Sequence, residues 1–165
     1  MVGIAASGTT PYVLAGVRYA RGQDCLTIGI SCNRDAPLAE LTDHPLQLLV
    51  GPEVLAGSTR LKAGTATKMV LNMLSTGVMV RLGKTYGNLM VDLQATNEKL
   101  RARALGLLQR LTGLAEPAAA ALMAKCGGEL KTSIVSYRLS LAPELARARL
   151  AENDGVLRRS LSESS

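Results

Sequence analysis

The sequence predicts an α/β fold in which a parallel sheet, covered by helices, is followed by a small all-helical subdomain. Short, uniformly apolar runs alternate with helical patterns up to about residue 97. Such runs are typical of parallel strands that are buried on both faces. From residue 98 onward only helical patterns occur. We therefore expect the sheet within residues 1–97 and a helical subdomain within residues 98–165.

The first strand is predicted over Met1–Ala6, an apolar run that ends at the polar loop 7–10. A helix follows, because Pro11 occupies the favoured first helical position and Thr10 can cap the helix there. Apolar side chains then recur at helical spacing as far as Ala20. This order places a strand-to-helix loop early in the sheet.

Two further strands are predicted, over Cys25–Cys32 and Leu46–Val50, joined by a short connection. A turn rich in Gly, Ser and Thr, residues 51–65, then leads into a long buried helix that ends near Leu82. The predicted helices of the second region are Glu98–Leu111, Pro117–Lys125, Leu130–Leu139 and Pro143–Leu150. The third of these offers few polar side chains that could contact DNA bases, so a structural subdomain is favoured over a helix-turn-helix reader.

The composition indicates a folded protein without a nucleic-acid partner. Of the 165 residues, 47% are apolar and 19% are charged, which excludes general disorder. Aromatic residues make up only 2%, too few for a site that stacks bases on rings. The net charge is +6, but the basic residues are spread along the chain. That distribution favours a solvated basic surface or a site for small phosphorylated molecules over a nucleic-acid interface.

Cysteine and histidine usage argues against a metal site and against a disulfide framework. Cys25, Cys32 and Cys126 are widely spaced and odd in number, and the chain has a single histidine. We expect three reduced, mostly buried thiols and no bound metal. His44 precedes Pro45 at a strand entry, where we interpret it as a surface or turn residue rather than a catalytic one.

No segment is predicted to be a signal peptide or a membrane span. The start MVGIAAS has no basic stretch before its apolar residues. The most apolar stretch, Met69–Leu82, is interrupted by Asn72 and Arg81 and is too short to cross a bilayer. We therefore expect a soluble, cytoplasmic protein with no membrane partner.

Two loops rich in Gly, Ser and Thr, each before a helix, are the candidate binding elements. Ala6–Pro11 joins a strand to a helix, and its hydroxyls and backbone N–H groups are suited to bind a phosphate. Gly57–Lys62 also precedes a helix and adds two cations. Each loop is equally compatible with an ordinary capped turn, so spacing alone leaves both interpretations open. Loops that follow strands of one sheet converge at its carboxyl edge, where open α/β sheets bind ligands.

The residues alone show no complete set of catalytic groups. Glu53 is the acidic residue that lies beside such a loop, whereas acid–base catalysis at two positions usually needs a pair of groups. A single histidine likewise gives no convincing Ser-His-Asp or Cys-His arrangement. The pattern indicates a binding edge without a complete set of catalytic groups.

Long stretches of the chain resemble the later part of the N-acetylmuramic acid 6-phosphate etherases, which are sugar-isomerase (SIS) domain proteins. The resemblance lies in GIAASGTTPYVLAGVRYAR, in LTIGISCN, and in the block of residues 51–100 that begins GPEVLAGSTRLKAGT. The segment CGGELKTSIV is similar to the helical C-terminal subdomain of the same family. The long block is the most specific of these, since many sugar-phosphate proteins share a loop like SGTTP.

This resemblance implies a fold and a reaction. The fold is a flavodoxin-like SIS sheet, with strand order 2-1-3-4-5, and the full-length form is a homodimer. The reaction cleaves the D-lactyl ether of N-acetylmuramic acid 6-phosphate to give N-acetylglucosamine 6-phosphate and D-lactate, in cell-wall amino-sugar recycling. It proceeds by proton removal at C2, elimination of lactate and addition of water, with no metal or organic cofactor.

The resemblance also assigns binding residues, but no catalytic ones. It implies sugar-phosphate contacts at Ser7, Gly8, Thr9 and Thr10, and a second loop near the sugar with Glu53, Ser58 and Lys62. The family's two catalytic glutamates and its first Gly/Ser loop precede the part that matches, so we expect this chain alone to lack etherase activity. The alternative is a non-catalytic sugar-phosphate-binding SIS module, similar to the glucokinase regulatory protein.

Overall fold

The computed structural model of the protein describes residues 1–93 and 96–162. The chain divides into two compact units, Met1–Ser75 and Thr76–Ser165. Within the described residues, no helix is long and apolar enough to cross a membrane.

The first unit contains a parallel sheet of three strands, which confirms the predicted α/β fold. In order along the sheet they are β1 (Val2–Ile4), β2 (Ile28–Ser31) and β3 (His44–Gln47). Ile30 of the central strand pairs with Ile4 on one side and with Leu46 on the other. Because all three strands run in the same direction, the loops that follow them leave from one edge of the sheet.

The third strand runs over His44–Gln47 rather than over the predicted range Leu46–Val50. His44 lies at the strand entry and is exposed, as expected, and it pairs with Ile28. Its backbone N–H donates to the Thr27 carbonyl at 3.1 Å. The strand tolerates Pro45, which has no N–H to donate, because β3 is an edge strand.

Two helices cover one face of the sheet, α1 (Pro11–Gly22) and α2 (Pro37–Leu41). Val17 of α1 and Leu38 of α2 are fully buried in the core of this unit. Gly3 permits the close packing, since a Cβ at its position would lie 2.7 Å from Val17 Cγ2. The helix α1 agrees with the prediction. Only a connection was predicted where α2 lies, because a five-residue helix is too short to show an apolar period.

The other face of the sheet is only partly covered, contrary to the expectation of burial on both faces. Val2 and Ile4 of β1 are 43% and 41% exposed. The helix α3 (Lys62–Arg81) also corrects the prediction of a buried helix, because Ala63 is its only fully buried residue and Met73 is 64% exposed. Apolar residues occur on all sides of α3, so the pattern predicts burial without showing what would cover the helix.

The second unit contains a β-hairpin and five helices within the described residues. The elements are β4 (Thr85–Tyr86), β5 (Leu89–Met90), α4 (Glu98–Thr112), α5 (Glu116–Lys125), α6 (Leu130–Leu139), α7 (Pro143–Glu152) and α8 (Leu157–Leu161). Leu108, Ile134 and Leu157 are fully buried in its core. The bounds of α4–α7 agree with the predicted helices to within two residues. The hairpin and α8 were not predicted, because such short elements carry no measurable period. The domain boundary between residues 97 and 98 stays a prediction.

The three cysteines are free of disulfides, as expected, but they differ in burial. Cys126 is buried, Cys32 is half-buried and Cys25 is exposed. The prediction of mostly buried thiols is therefore wrong for Cys25. That residue lies just after the turn at Gln23 and Asp24, before β2 begins at Ile28.

Candidate functional site

A pocket of about 200 Å³ lies at the carboxyl edge of the sheet in the first unit. Ala6 and Ser7 enter its wall from the end of β1, Cys32 and Asn33 from the end of β2, and Val50–Glu53 from the loop after β3. The start of α3 and the residues just before it complete the lining. The two loops singled out in the sequence thus converge on one pocket, as expected for loops that follow parallel strands.

The loop after β1 folds into a tight turn, residues 7–9, which we call the Ser7 turn. Ser7 Oγ accepts hydrogen bonds from the Thr9 backbone N–H at 3.2 Å and from the Thr9 hydroxyl at 3.0 Å. The Gly8 N–H donates to the Ala5 carbonyl at 2.9 Å. Gly8 has a φ of +69°, and a Cβ there would lie 2.4 Å from Ala36 Cβ. Only glycine fits this turn, which brings Ser7 to the pocket wall.

Within the described residues, the start of α1 has no side-chain cap. Thr10 occupies the N-cap position that the sequence predicts, but its side chain makes no capping hydrogen bond. The first turn also lacks an acidic residue, and Pro11 is its first member. The remaining backbone N–H groups and the dipole of α1 therefore favour an anion just beyond the Ser7 turn.

The start of α3, by contrast, is already occupied by a carboxylate. Glu53 Oε2 accepts from the Lys62 backbone N–H at 2.9 Å, and Oε1 accepts from the Ala63 N–H at 3.0 Å. These backbone hydrogen bonds, the one from Ala63 first, hold the pKa of Glu53 below its ordinary value of 4.5. Glu53 is therefore ionised near neutral pH and committed to the helix start, which makes it a weak candidate for a general base.

Only some of the residues predicted for binding line the pocket. Ser7 and Glu53 line it. Gly8, Thr9 and Thr10 continue the same loop beyond Ser7 but are not among the lining residues. Two residues of the second loop are likewise set back: Ser58 is half-buried, and Lys62 Nζ donates to the Pro52 carbonyl at 2.9 Å.

The structure adds pocket residues that the sequence analysis missed. Asn33 and Cys32 follow β2 directly, and Thr59 lies in the second loop. The Asn33 side-chain amide donates to the Ser7 carbonyl at 3.3 Å, so it contacts the Ser7 turn itself. Their position in loops that follow strands could have identified them from the sequence, because every such loop of a parallel sheet reaches the same edge.

The groups that line the pocket are suited to bind a polar ligand rather than to transfer protons. It offers hydroxyl and amide donors next to an uncapped helix start, which suits a phosphate ester with a polar sugar. Within the described residues, Glu53 is the one acidic side chain in its lining, and both of its oxygens already accept hydrogen bonds. An acid–base pair is not assembled there.

A larger pocket, of about 380 Å³, lies between α4 and α5 in the second unit. Its lining is dominated by Ala, Leu and Met side chains, with Glu98 and Arg101 as its charged members. An apolar lining offers few donors for a phosphate or a sugar. The smaller pocket at the sheet edge is therefore the better candidate for a polar ligand.

Comparisons with known proteins place two family models on the chain. Residues 1–77 match the SIS domain, and residues 87–149 match the C-terminal lid domain of glucokinase regulatory protein. The SIS match contains the whole pocket.

Relatives named N-acetylmuramic acid 6-phosphate etherase align with nearly the whole chain. The relative from Rubrobacter xylanophilus is 56% identical over 163 residues, which is 99% of this chain and 54% of that protein. The relative from Rhodopirellula baltica is 52% identical over 98% of this chain and 53% of its own length. The relative from Streptomyces avermitilis is 51% identical over 98% of this chain and 52% of its own length. The chain spans about half the length of the curated relatives it matches.

Proposed function

We propose that the chain belongs to the N-acetylmuramic acid 6-phosphate etherase family of SIS-domain proteins, and that it forms the part of such an etherase that binds the sugar 6-phosphate. The proposed reaction is cleavage of the D-lactyl ether of N-acetylmuramic acid 6-phosphate to N-acetylglucosamine 6-phosphate and D-lactate. Its place would be cell-wall amino-sugar recycling in the cytoplasm, in a homodimer of the full-length form and without a metal or organic cofactor.

One observation carries the proposal: the Ser7 turn and the uncapped start of α1 lie at the carboxyl edge of the sheet, beside a pocket. The start of α1 can take a negative charge, whereas the start of α3 already holds the Glu53 carboxylate, which would repel a phosphate. The phosphate therefore belongs at the Ser7 turn. The sugar would extend across the pocket towards the second loop, where Thr59 supplies a hydroxyl.

Proton transfer is not assigned to this chain. Removal of a proton at C2 and protonation of the leaving ether oxygen need groups that can change their protonation state near neutral pH. Glu53 cannot fill both roles, because its pKa is lowered and its two oxygens cap α3. The residues of this chain would bind and orient the substrate, and no catalytic residue is proposed among them.

A second candidate function is a non-catalytic sugar-phosphate-binding module that regulates a partner. The match of residues 87–149 to the lid domain of glucokinase regulatory protein favours it. Such a module needs the phosphate site but not an acid–base pair, and the pocket meets that requirement as well.

The first test is binding by the chain itself. Isothermal titration with N-acetylglucosamine 6-phosphate should give saturable binding, while N-acetylglucosamine without the phosphate should bind far more weakly. Equal affinity for the two sugars, or no binding of either, would contradict the proposed site.

Lactate release separates the two candidates. The chain alone should release no D-lactate from N-acetylmuramic acid 6-phosphate in a coupled assay. Turnover that disappears in Glu53→Gln would instead assign the chemistry to the second loop. A chimera that adds the unmatched part of the Rubrobacter xylanophilus relative should release lactate if this chain is part of an etherase. A chimera that binds the sugar phosphate without turnover would favour the regulatory module.

A further inference from the structure

Asn33 connects the ends of two strands at the pocket. It lies just after β2, and its side-chain Nδ2 donates to the Ser7 carbonyl at 3.3 Å and approaches the Ala6 carbonyl at 3.5 Å. The neighbouring Cys32 N–H donates to the same Ala6 carbonyl at 2.9 Å. Residues that lie 26 positions apart in sequence are therefore joined directly beside the Ser7 turn.

These contacts fix one particular peptide group. The carbonyl of the Ser7–Gly8 peptide accepts from Asn33, and the N–H of the same peptide donates to Ala5 at 2.9 Å. The peptide plane is thus held at both ends. Glycine at position 8 would otherwise allow this plane to rotate, because it has access to several backbone conformations.

The orientation of this peptide determines what the turn presents to a ligand. Ser7 Oγ already accepts two hydrogen bonds from Thr9, so the hydroxyl of Ser7 has its hydrogen left to donate. If the plane rotated, the Ser7 carbonyl oxygen would change direction and the Thr9 contacts would be disturbed. An acceptor oxygen turned towards the pocket would repel a phosphate.

We infer that Asn33 is a positioning residue of the sugar-phosphate site, which holds the Ser7–Gly8 peptide so that the Ser7 turn presents donors to the phosphate. This inference rests on the proposed function. Asn33 acts on the ligand through the turn, so its effect depends on both the phosphate and Ser7.

The primary test is the Kd for N-acetylglucosamine 6-phosphate, measured by titration calorimetry. Asn33→Ala should weaken binding about three- to tenfold, the usual effect of one hydrogen bond. Asn33→Asp should weaken it further, because it removes the donor and adds a negative charge near the phosphate. The matched control is Asn72→Ala on α3, outside this pocket, which should leave the Kd unchanged. An Asn33→Ala variant with wild-type affinity would overturn the inference.

A double-variant cycle distinguishes positioning from direct contact. If Asn33 acts through the turn, the loss in Ser7→Ala plus Asn33→Ala should be smaller than the product of the single losses. If the fold-loss of affinity in the double variant equals the product of the two single fold-losses, Asn33 contacts the ligand independently of Ser7, which overturns the positioning role. For N-acetylglucosamine without the phosphate, Asn33→Ala and Asn33→Asp should differ little.

Amide hydrogen exchange gives a readout that needs no ligand. The Gly8 amide should exchange faster in Asn33→Ala than in the wild type, with no change in Asn72→Ala and no change at Val17 in the core. If the wild-type chain fails to bind the sugar phosphate, both the proposed function and this inference are overturned. If it binds, while Asn33→Ala changes neither the Kd nor the Gly8 exchange, the inference alone is wrong.

Discussion

Glu53 Oε1 accepts a hydrogen bond of 3.0 Å from the backbone N–H of Ala63, ten residues later in the chain. The second carboxylate oxygen accepts from Lys62 at 2.9 Å. A side chain from the loop after β3 thus satisfies the first turn of α3, in the way that a capping residue usually does from within the helix start. The same contact connects the pocket wall to the helix, so the pocket geometry depends on the charge of Glu53.

The first prediction concerns that charge. Glu53→Gln should lower the Tm at pH 7, because an amide has only one acceptor oxygen for the two N–H groups. The folded-state pKa of Glu53 is lowered, so its contribution is complete above the ordinary value of 4.5 and is lost as the pH falls through the folded-state pKa. The Tm difference between wild type and variant should therefore be constant near neutral pH and shrink in acid.

The matched control for this prediction is Glu152→Gln, an exposed glutamate at the end of α7. At every pH from 7 down to acid, this variant should have nearly the same Tm as the wild type. Thermal unfolding followed by circular dichroism at several pH values measures both variants. A Tm loss in Glu53→Gln that is the same at every pH would show that the carboxylate charge is not responsible.

The second prediction concerns the phosphate. Ser7→Ala should weaken binding of N-acetylglucosamine 6-phosphate by about 1.5–3 kcal/mol, the range for a charge-assisted hydrogen bond. Ser75→Ala is the control, because its hydroxyl donates to the Asn72 carbonyl on α3 and lies outside the pocket. Titration calorimetry measures the loss. Unchanged affinity in Ser7→Ala would remove Ser7 from the phosphate site.

The fold was predictable where local signals were strong. Pro11 marks the start of α1, and the apolar run before Ser7 marks β1, so the order of strand, loop and helix follows from sequence alone. The five-residue helix α2 and the β4–β5 hairpin were not predictable, because elements of this length show no period. The apolar pattern of α3 alone does not show its exposure, since an apolar helix has the same pattern whether or not another element covers it.

The sequence predicted that the pocket lies at the carboxyl edge of the sheet, but it did not predict the side-chain contacts within the pocket. Ser7 and Glu53 follow strands and carry polar groups, which is enough to select them. The role of Glu53 as a cap depends on where the chain returns ten residues later, and no spacing rule gives that. Asn33 is tied to Ser7 across 26 residues, a contact that only the strand register determines.

The third prediction concerns the backbone of the Ser7 turn. Gly8→Ala should destabilise the first unit by about 1–3 kcal/mol, because the residue has a φ of +69° and its Cβ would lie 2.4 Å from Ala36 Cβ. Gly22→Ala is the control, since no side chain or backbone atom beyond its chain neighbours and its own helix lies within 4 Å of its Cβ position, and its φ is not positive. Hydrogen exchange of the β2 amides measures the local stability. Equal protection in both variants would contradict the tight fit at Gly8.

The fourth prediction concerns an ion-pair cluster in the second unit. Asp92 pairs with Lys84 and, at 3.0 Å, with Lys131, whose side chain is only 12% exposed. Burial raises the pKa of Asp92, but hydrogen bonds from the two lysines outweigh that effect and leave it below its ordinary value. Asp92→Asn should therefore destabilise this unit by about 1–2 kcal/mol, because a neutral amide replaces the carboxylate that pairs with Lys84 and Lys131.

The control for this cluster is Asp154→Asn, whose pair with Arg159 is well exposed. It should change stability by less than about 0.5 kcal/mol. Hydrogen exchange of the α6 amides measures the second unit directly in both variants. If Asp92→Asn leaves that protection unchanged, the cluster contributes no more than a surface pair.

The last prediction concerns an open sheet edge. Among the described residues, β1 pairs with β2 alone, so its other edge has no strand partner. Its side chains Val2 and Ile4 are 43% and 41% exposed, and no lysine or proline protects the strand from pairing with another chain. Met69 and Met73 of α3 add exposed apolar surface in the same unit. We therefore expect the chain to self-associate through this surface, with a second copy as the partner.

Light scattering over a concentration series tests this association. The wild-type chain should increase in average mass with concentration, because an unpaired apolar strand edge gains hydrogen bonds and buries surface when it meets a second copy. Ile4→Lys should reduce the association, since a charge on an edge strand opposes pairing. Tyr12→Lys on α1 is a control of equal charge change at an exposed site outside β1. Association that falls equally in both variants would indicate a general charge effect. A wild-type chain that stays monomeric at every concentration would show that the β1 edge does not pair with a second copy.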